Sequence, residues 1–129
     1  MIVVDASVIL QILLNWDKDA KLKNAIIEAK PLIAPHFSDL EVLNGFRRHL
    51  RLGALSENRA VQAIEDLTAL NIDRRSVSLL SKEIWALRNN ITPYDAAYVV
   101  LAADLGLPLL TRDKKLAQEA AAFTKIELI

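Results

Sequence analysis

The chain has 129 residues, 53% of them hydrophobic, and its 16 lysines and arginines balance 16 aspartates and glutamates. That length and apolar content suit a single domain over residues 1–129 with a substantial core, and the charge balance excludes a global field that would draw in a polyanion. Cysteine is absent, which excludes disulfides, thiolate metal sites and a cysteine nucleophile, and accords with a reducing compartment.

The first apolar run, "MIVVD", predicts a strand from Ile2 to Asp5 that finishes in an acid. The following "SVILQILLNW" is the longest apolar stretch; interrupted by Gln11, it falls far short of a bilayer span. No positively charged leader with a small-residue cleavage site is present either, so the expectation is a soluble, cytoplasmic protein with no membrane association. Leu22, Ala25, Ile26 and Ala29 follow the i, i+3, i+4, i+7 rule of a helix, and Leu32 to Ala34 reads as the second strand. From Phe37 to Leu70 two helices follow one another around "LGALS", with Gly53 at a helix end and Ser56 at the next start. Such a pair predicts a helical hairpin protruding from the sheet, with Val61, Ile64 and Leu67 facing its interior and any leftover apolar surface suited to a partner. A third strand is expected from Asn71 to Asp73, then a helix capped by Ser76 or Ser78 and carrying Leu80, Ile84, Leu87 and Ile91. "TPYD" opens the next helix, with Pro93 at its first position, and Gly106 followed by Pro108 closes it. Leu109 to Thr111 and Ile126 to Leu128 complete five strands. Strands alternating with helices predict an α/β fold, a parallel five-stranded sheet flanked by helices on both faces.

Four acids stand at helix starts: Asp5, Glu41, Asp95 and Asp113. Each alone reads as a cap. Ser38 with Glu41 and Thr92 with Asp95 have capping-box spacing, and Asp5 and Asp113 suit N-caps. Together they read differently, because an open parallel sheet places the starts of its following helices along one edge, at the carboxyl ends of its strands. Four anions meeting there would repel one another unless a divalent cation sat among them, and all-oxygen ligation points to magnesium or manganese. Ser7 and Thr111, two residues from Asp5 and Asp113, are within reach of a carboxylate or a metal water, local capping being the alternative. His36 and His49 lack metal-ligand spacing. Arg47, Arg48 and Arg51 in "FRRHLR" form a local basic patch, which on charge alone reads first as a solvated helix face.

"MIVVDASVIL", "APHFSDLEVLNGFRR", "GALS" and "TPYDAAYVVLAADLGLPLLTRDKKLA" resemble, in order and spacing across essentially the whole chain, the PIN-domain ribonucleases, in particular the VapC toxins of toxin-antitoxin pairs. The resemblance implies a PIN-like three-layer sandwich with Asp5, Glu41, Asp95 and Asp113 as the acidic catalytic and metal-binding quartet, and Ser7 and Thr111 beside it. It also implies a magnesium- or manganese-dependent endoribonuclease acting on RNA by in-line attack of activated water. Homodimerisation and silencing by a VapB-like antitoxin are further implications. Arg112, with Arg47, Arg48 and Arg51, would hold flanking phosphates against the acidic site. Two other readings stand beside this one. A phospho-accepting receiver-like signalling domain would recruit Asp5 and Asp73, yet it needs an acidic pair after the first strand and a lysine after the fifth. A catalytically inactive PIN-like binding module is at odds with the intact quartet.

Overall fold

Ile2–Val4 form the first strand, β1, in the computed structural model, which describes residues 1–129. All three residues are buried. Alternating side chains send Ile2 and Val4 into one apolar layer and Val3 into the other, so the strand is covered on both faces. Beside it run β2 (Leu32–Pro35), β3 (Ile72–Arg75), β4 (Leu109–Thr111) and β5 (Ile126–Leu128). Every pairing is parallel and the spatial order is β3-β2-β1-β4-β5. Val3 lies opposite Ile33 of β2 and Leu109 of β4, and all three belong to the same apolar layer.

Helices α1 (Ala6–Asn15), α2 (Ala20–Ala29), α3 (Ser38–Arg51) and α4 (Glu57–Ala69) cover one face. Val8, Ile9, Leu22, Ile26, Val42 and Phe46 fill that layer with Ile2, Val4 and Leu32. Helices α5 (Ser81–Ala86), α6 (Pro93–Leu105) and α7 (Lys114–Ala120) cover the other, mainly through Tyr98, Val99, Leu101 and Leu116. The result is the three-layer α/β sandwich with a parallel sheet that the alternation of elements predicts. No helix is long and apolar enough to cross a membrane.

Local departures from the sequence reading have physical causes. The α3–α4 hairpin packs on α1, and the inward stripe of α4 is Ala60, Ala63 and Leu67, continued by Leu70 just past the helix end. Val61 and Ile64 sit one residue, about 100°, around the helix from that stripe and are 57% and 42% exposed, not interior. Ser38 is not a cap: α3 starts after Phe37 with no side-chain cap, and Ser38 is its buried first residue. The helix expected through Ile91 stops at Ala86. A 3-10 turn at Ser78–Leu80 precedes α5, and i→i−3 bonds at Leu87, Arg88 and Asn90 tighten the chain before α6. Neither Ser76 nor Ser78 is the N-cap there; Ser76 Oγ accepts the Ser78 N–H.

Gly106 ends α6 at φ 64° with nothing within 4 Å of where a Cβ would sit, so its requirement is conformational alone. Gly106→Ala is expected to cost about 1 kcal/mol, read as a lower melting temperature with an unchanged circular dichroism spectrum.

Candidate metal centre

The chain steps outward from β1 through β2 to β3, then returns to build β4 and β5 on the other side. The strand order therefore reverses beside β1, and the crevice beyond the carboxyl ends of β1 and β4 is where such sheets place ligands. Asp5 follows β1 and Asp113 follows β4. Glu41 reaches the same crevice from the first turn of α3, and Asp95 from the first turn of α6. All four line one cavity of about 250 Å³, together with Ser7, Asn44, Gly45, Arg48 and Tyr98.

Asp5 is only 5% exposed and its carboxylate is held from three sides. Ser7 Oγ donates to Oδ1 at 2.6 Å, the Val8 N–H donates to the same oxygen at 3.1 Å, and Thr111 Oγ1 donates to Oδ2. Each hydroxyl also accepts a backbone N–H, Ser7 from Arg112 and Thr111 from Asp113, which leaves its single proton for Asp5. Asp5 is thus an N-cap and, at the same time, a buried acid joining β1 to β4. Burial pushes its carboxyl up, the Ser7, Thr111 and Val8 hydrogen bonds oppose that, and the charge of Asp113 adds to it.

Asp113 caps α7 through Oδ1, which accepts the Lys115 and Leu116 N–H groups. The Thr92 hydroxyl caps α6 by accepting the Asp95 N–H, so the Asp95 carboxylate is free for the cavity. Burial first, then the charges of Asp113, Asp5 and Glu119, raise the Asp95 pKa, against Lys115. Glu41, with no capping duty, accepts a 2.6 Å hydrogen bond from Tyr98 Oη. Burial raises its pKa, the Tyr98 bond lowers it, and Asp95 and Asp5 raise it further. Three acids therefore resist ionisation because they are partly desolvated and face one another.

Tyr98, Asn44 and Gly45 escaped the sequence reading, although helical spacing points to them. Tyr98 is three residues after Asp95, while Asn44, Gly45 and Arg48 follow Glu41 at three, four and seven, one face of α3. Gly45 is needed there: a Cβ would meet Leu10 Cδ1 at 2.5 Å, so its absence lets α3 approach α1 at the cavity wall. Of the four candidate phosphate-binding arginines, Arg48 lines the cavity. Arg47 and Arg51 are exposed on α3, and Arg112 donates to Gln11 Oε1 at 2.8 Å. Asp73, which a receiver-like reading would use, lies on edge strand β3 and is bonded to Arg75.

No three acidic or histidine side chains converge into a ready-made cage. Magnesium does not require one, because it keeps several waters and takes one or two carboxylates directly. The donor set fits such an ion: all oxygen, at least one lone pair of Asp5 Oδ2 left over, and Glu41 Oε2 without a protein partner.

An acidic crevice at the strand-order reversal of a parallel α/β sheet defines a class of protein, and comparison with known proteins narrows it. Residues 2–122 match the PIN domain family, to which the chain belongs, as a VapC-type member. VapC ribonuclease Mb0985 of Mycobacterium bovis is 39% identical over 132 aligned positions, covering 100% of this chain and 98% of the relative. Ribonuclease VapC3 of Pyrobaculum aerophilum is 34% identical over 125 positions, covering 94% and 95%. In fold, the crystal structure of PAE2754 from Pyrobaculum aerophilum superposes with a TM-score of 0.69 at 21% identity, covering 97% of this chain and 87% of that one. FitAB bound to the IR36 DNA fragment gives 0.65 at 16%, covering 99% and 94%.

The raised Asp95 pKa sets a sign. A carboxyl that ionises less readily folded than unfolded contributes stability below the unfolded pKa, near 4, and loses it as pH rises through the folded value. In chelator, the melting temperature of Asp95→Asn should therefore gain on wild type by a few degrees between pH 4 and pH 7. A gap that stays constant or narrows would contradict the clustering argument.

Proposed function

We propose that this chain is a magnesium- or manganese-dependent endoribonuclease, a VapC-type toxin that pairs with a second copy of itself and is silenced by a VapB-like antitoxin. The observation that carries the reading is the set Asp5, Glu41, Asp95 and Asp113 around one cavity, three of them with pKa values raised by burial and mutual charge. The relatives named ribonucleases support the substrate class. Asp5, Glu41, Asp95 and Asp113 would hold the ion, which when bound supplies Lewis-acid activation of water and of a phosphodiester. Ser7 and Thr111 fix the Asp5 carboxylate, so its geometry does not have to be reorganised during turnover. Tyr98 fixes Glu41 by occupying Oε1. Arg48, which lines the same cavity, would offset the acids' repulsion of an RNA phosphate. Arg47, Arg51 and Arg112 lie further out, where they would meet flanking phosphates.

Purified protein should cut RNA with magnesium or manganese and stop in excess chelator; undiminished cleavage in chelator would contradict the proposal. Asp5→Asn, Glu41→Gln and Asp113→Asn should each lose most of the activity. Tyr98→Phe keeps the ring edge-on to Phe37 and should weaken magnesium binding by about 10- to 100-fold, measured by calorimetry. An unchanged affinity would return Tyr98 to a packing role.

The antitoxin should dock on the outward side of the α3–α4 hairpin, where Leu52, Val61 and Ile64 are exposed, and place a basic side chain among the acids. Co-purification with a small partner is expected. Crosslinks confined to α2, around Leu22 to Ala29, would contradict this surface.

A further inference from the structure

Tyr94 precedes Asp95 at the start of α6 and is 62% exposed. Its ring is nevertheless anchored. Phe37 meets it edge-on, with centroids 5.6 Å apart at 79°, and meets the buried Tyr98 in the same way, 5.5 Å apart at 72°. With Leu40, 69% exposed, Phe37 and Tyr94 line a shallow cavity of about 330 Å³ whose other walls are Glu41 and Asn44. Those two residues also line the acidic cavity, so the apolar shelf adjoins it along a shared wall.

We propose that this shelf is a nucleobase subsite, in which the base next to the scissile phosphate stacks on Tyr94 and presents its hydrogen-bonding edge to the Asn44 amide. The inference rests on the ribonuclease reading and adds the site that selects the strand. A phosphate held over the acids leaves its attached nucleotide within reach of the shared Glu41–Asn44 wall. The occupant there must be flat, apolar on its face and polar on its edge. An aromatic face accepts any base, while an amide offers both a donor and an acceptor. A base in a duplex has both faces covered by its neighbours, so a stacking shelf favours unpaired RNA. A peptide segment is the weaker fit, because an apolar side chain would leave the Asn44 and Glu41 wall without polar partners.

Steady-state cleavage of a fluorescent single-stranded RNA that wild type cuts tests this. Tyr94→Ala should raise KM by about tenfold, and Tyr94→Phe, which keeps the stacking face, should restore it. A strand with an abasic ribose at the subsite position, found by scanning the abasic site along the RNA, should be handled alike by wild type and Tyr94→Ala. An unchanged KM in Tyr94→Ala would overturn the inference, as would an unaltered KM combined with lost binding of a co-encoded partner, which would make the shelf a protein-docking surface. Wild type that cuts no RNA would overturn the ribonuclease reading itself, and is told apart because the loss then precedes any substitution.

Discussion

A carboxylate at the end of the central strand, 5% exposed, is the constraint around which the rest of this structure is arranged. An ionised Asp5 removed from water is costly unless its oxygens are satisfied. Ser7, Val8 and Thr111 satisfy them, and the two hydroxyls are themselves oriented by the Arg112 and Asp113 N–H groups. The start of α1, the end of β4 and the start of α7 thereby meet at one side chain. The same contacts bring Asp113 beside Asp5, so the arrangement that satisfies one acid introduces a second.

Glu41 and Asp95 arrive from α3 and α6 and add to the crowding. The chain is neutral overall, yet the cavity wall carries four acids and a single cation, Arg48. Local composition opposes global composition, and the raised pKa values of Asp5, Glu41 and Asp95 record the cost. A single acid at a helix start needs no more than capping to explain it, as Asp19 shows at α2, but capping does not require four acids to share one cavity wall. Holding them together here makes physical sense for a site that binds positive charge.

Much of this was legible in the sequence because local signals agreed with one another. β4 and β5 fall where short apolar runs between turn residues put them, and α6 is bounded by Thr92, Pro93 and Gly106 as its cap chemistry dictates. The reading failed where tertiary contact decides. Ser38 matches a capping box by spacing, yet α3 starts after Phe37, whose ring packs against Tyr94 and Tyr98. Val61 and Ile64 are apolar, yet the neighbouring stripe of smaller Ala60 and Ala63 with Leu67 and Leu70 meets the core. Tyr98 looked like one apolar residue among many in "YDAAYVVLA", since nothing local says that its hydroxyl will find Glu41 across 57 residues of chain. The acids themselves were visible at helix starts; their meeting required the strand order, in which β1 lies between β2 and β4.

The central claim is that these carboxylates exist to hold a divalent cation. Anomalous scattering from crystals grown with manganese tests it directly, because the ion is located without reference to activity. The account predicts a peak in the cavity at about 2.0–2.3 Å from one or two of the carboxylates, with waters completing the shell toward the others. A cavity holding only water or a protein cation, in crystals where manganese is ordered elsewhere, would contradict it.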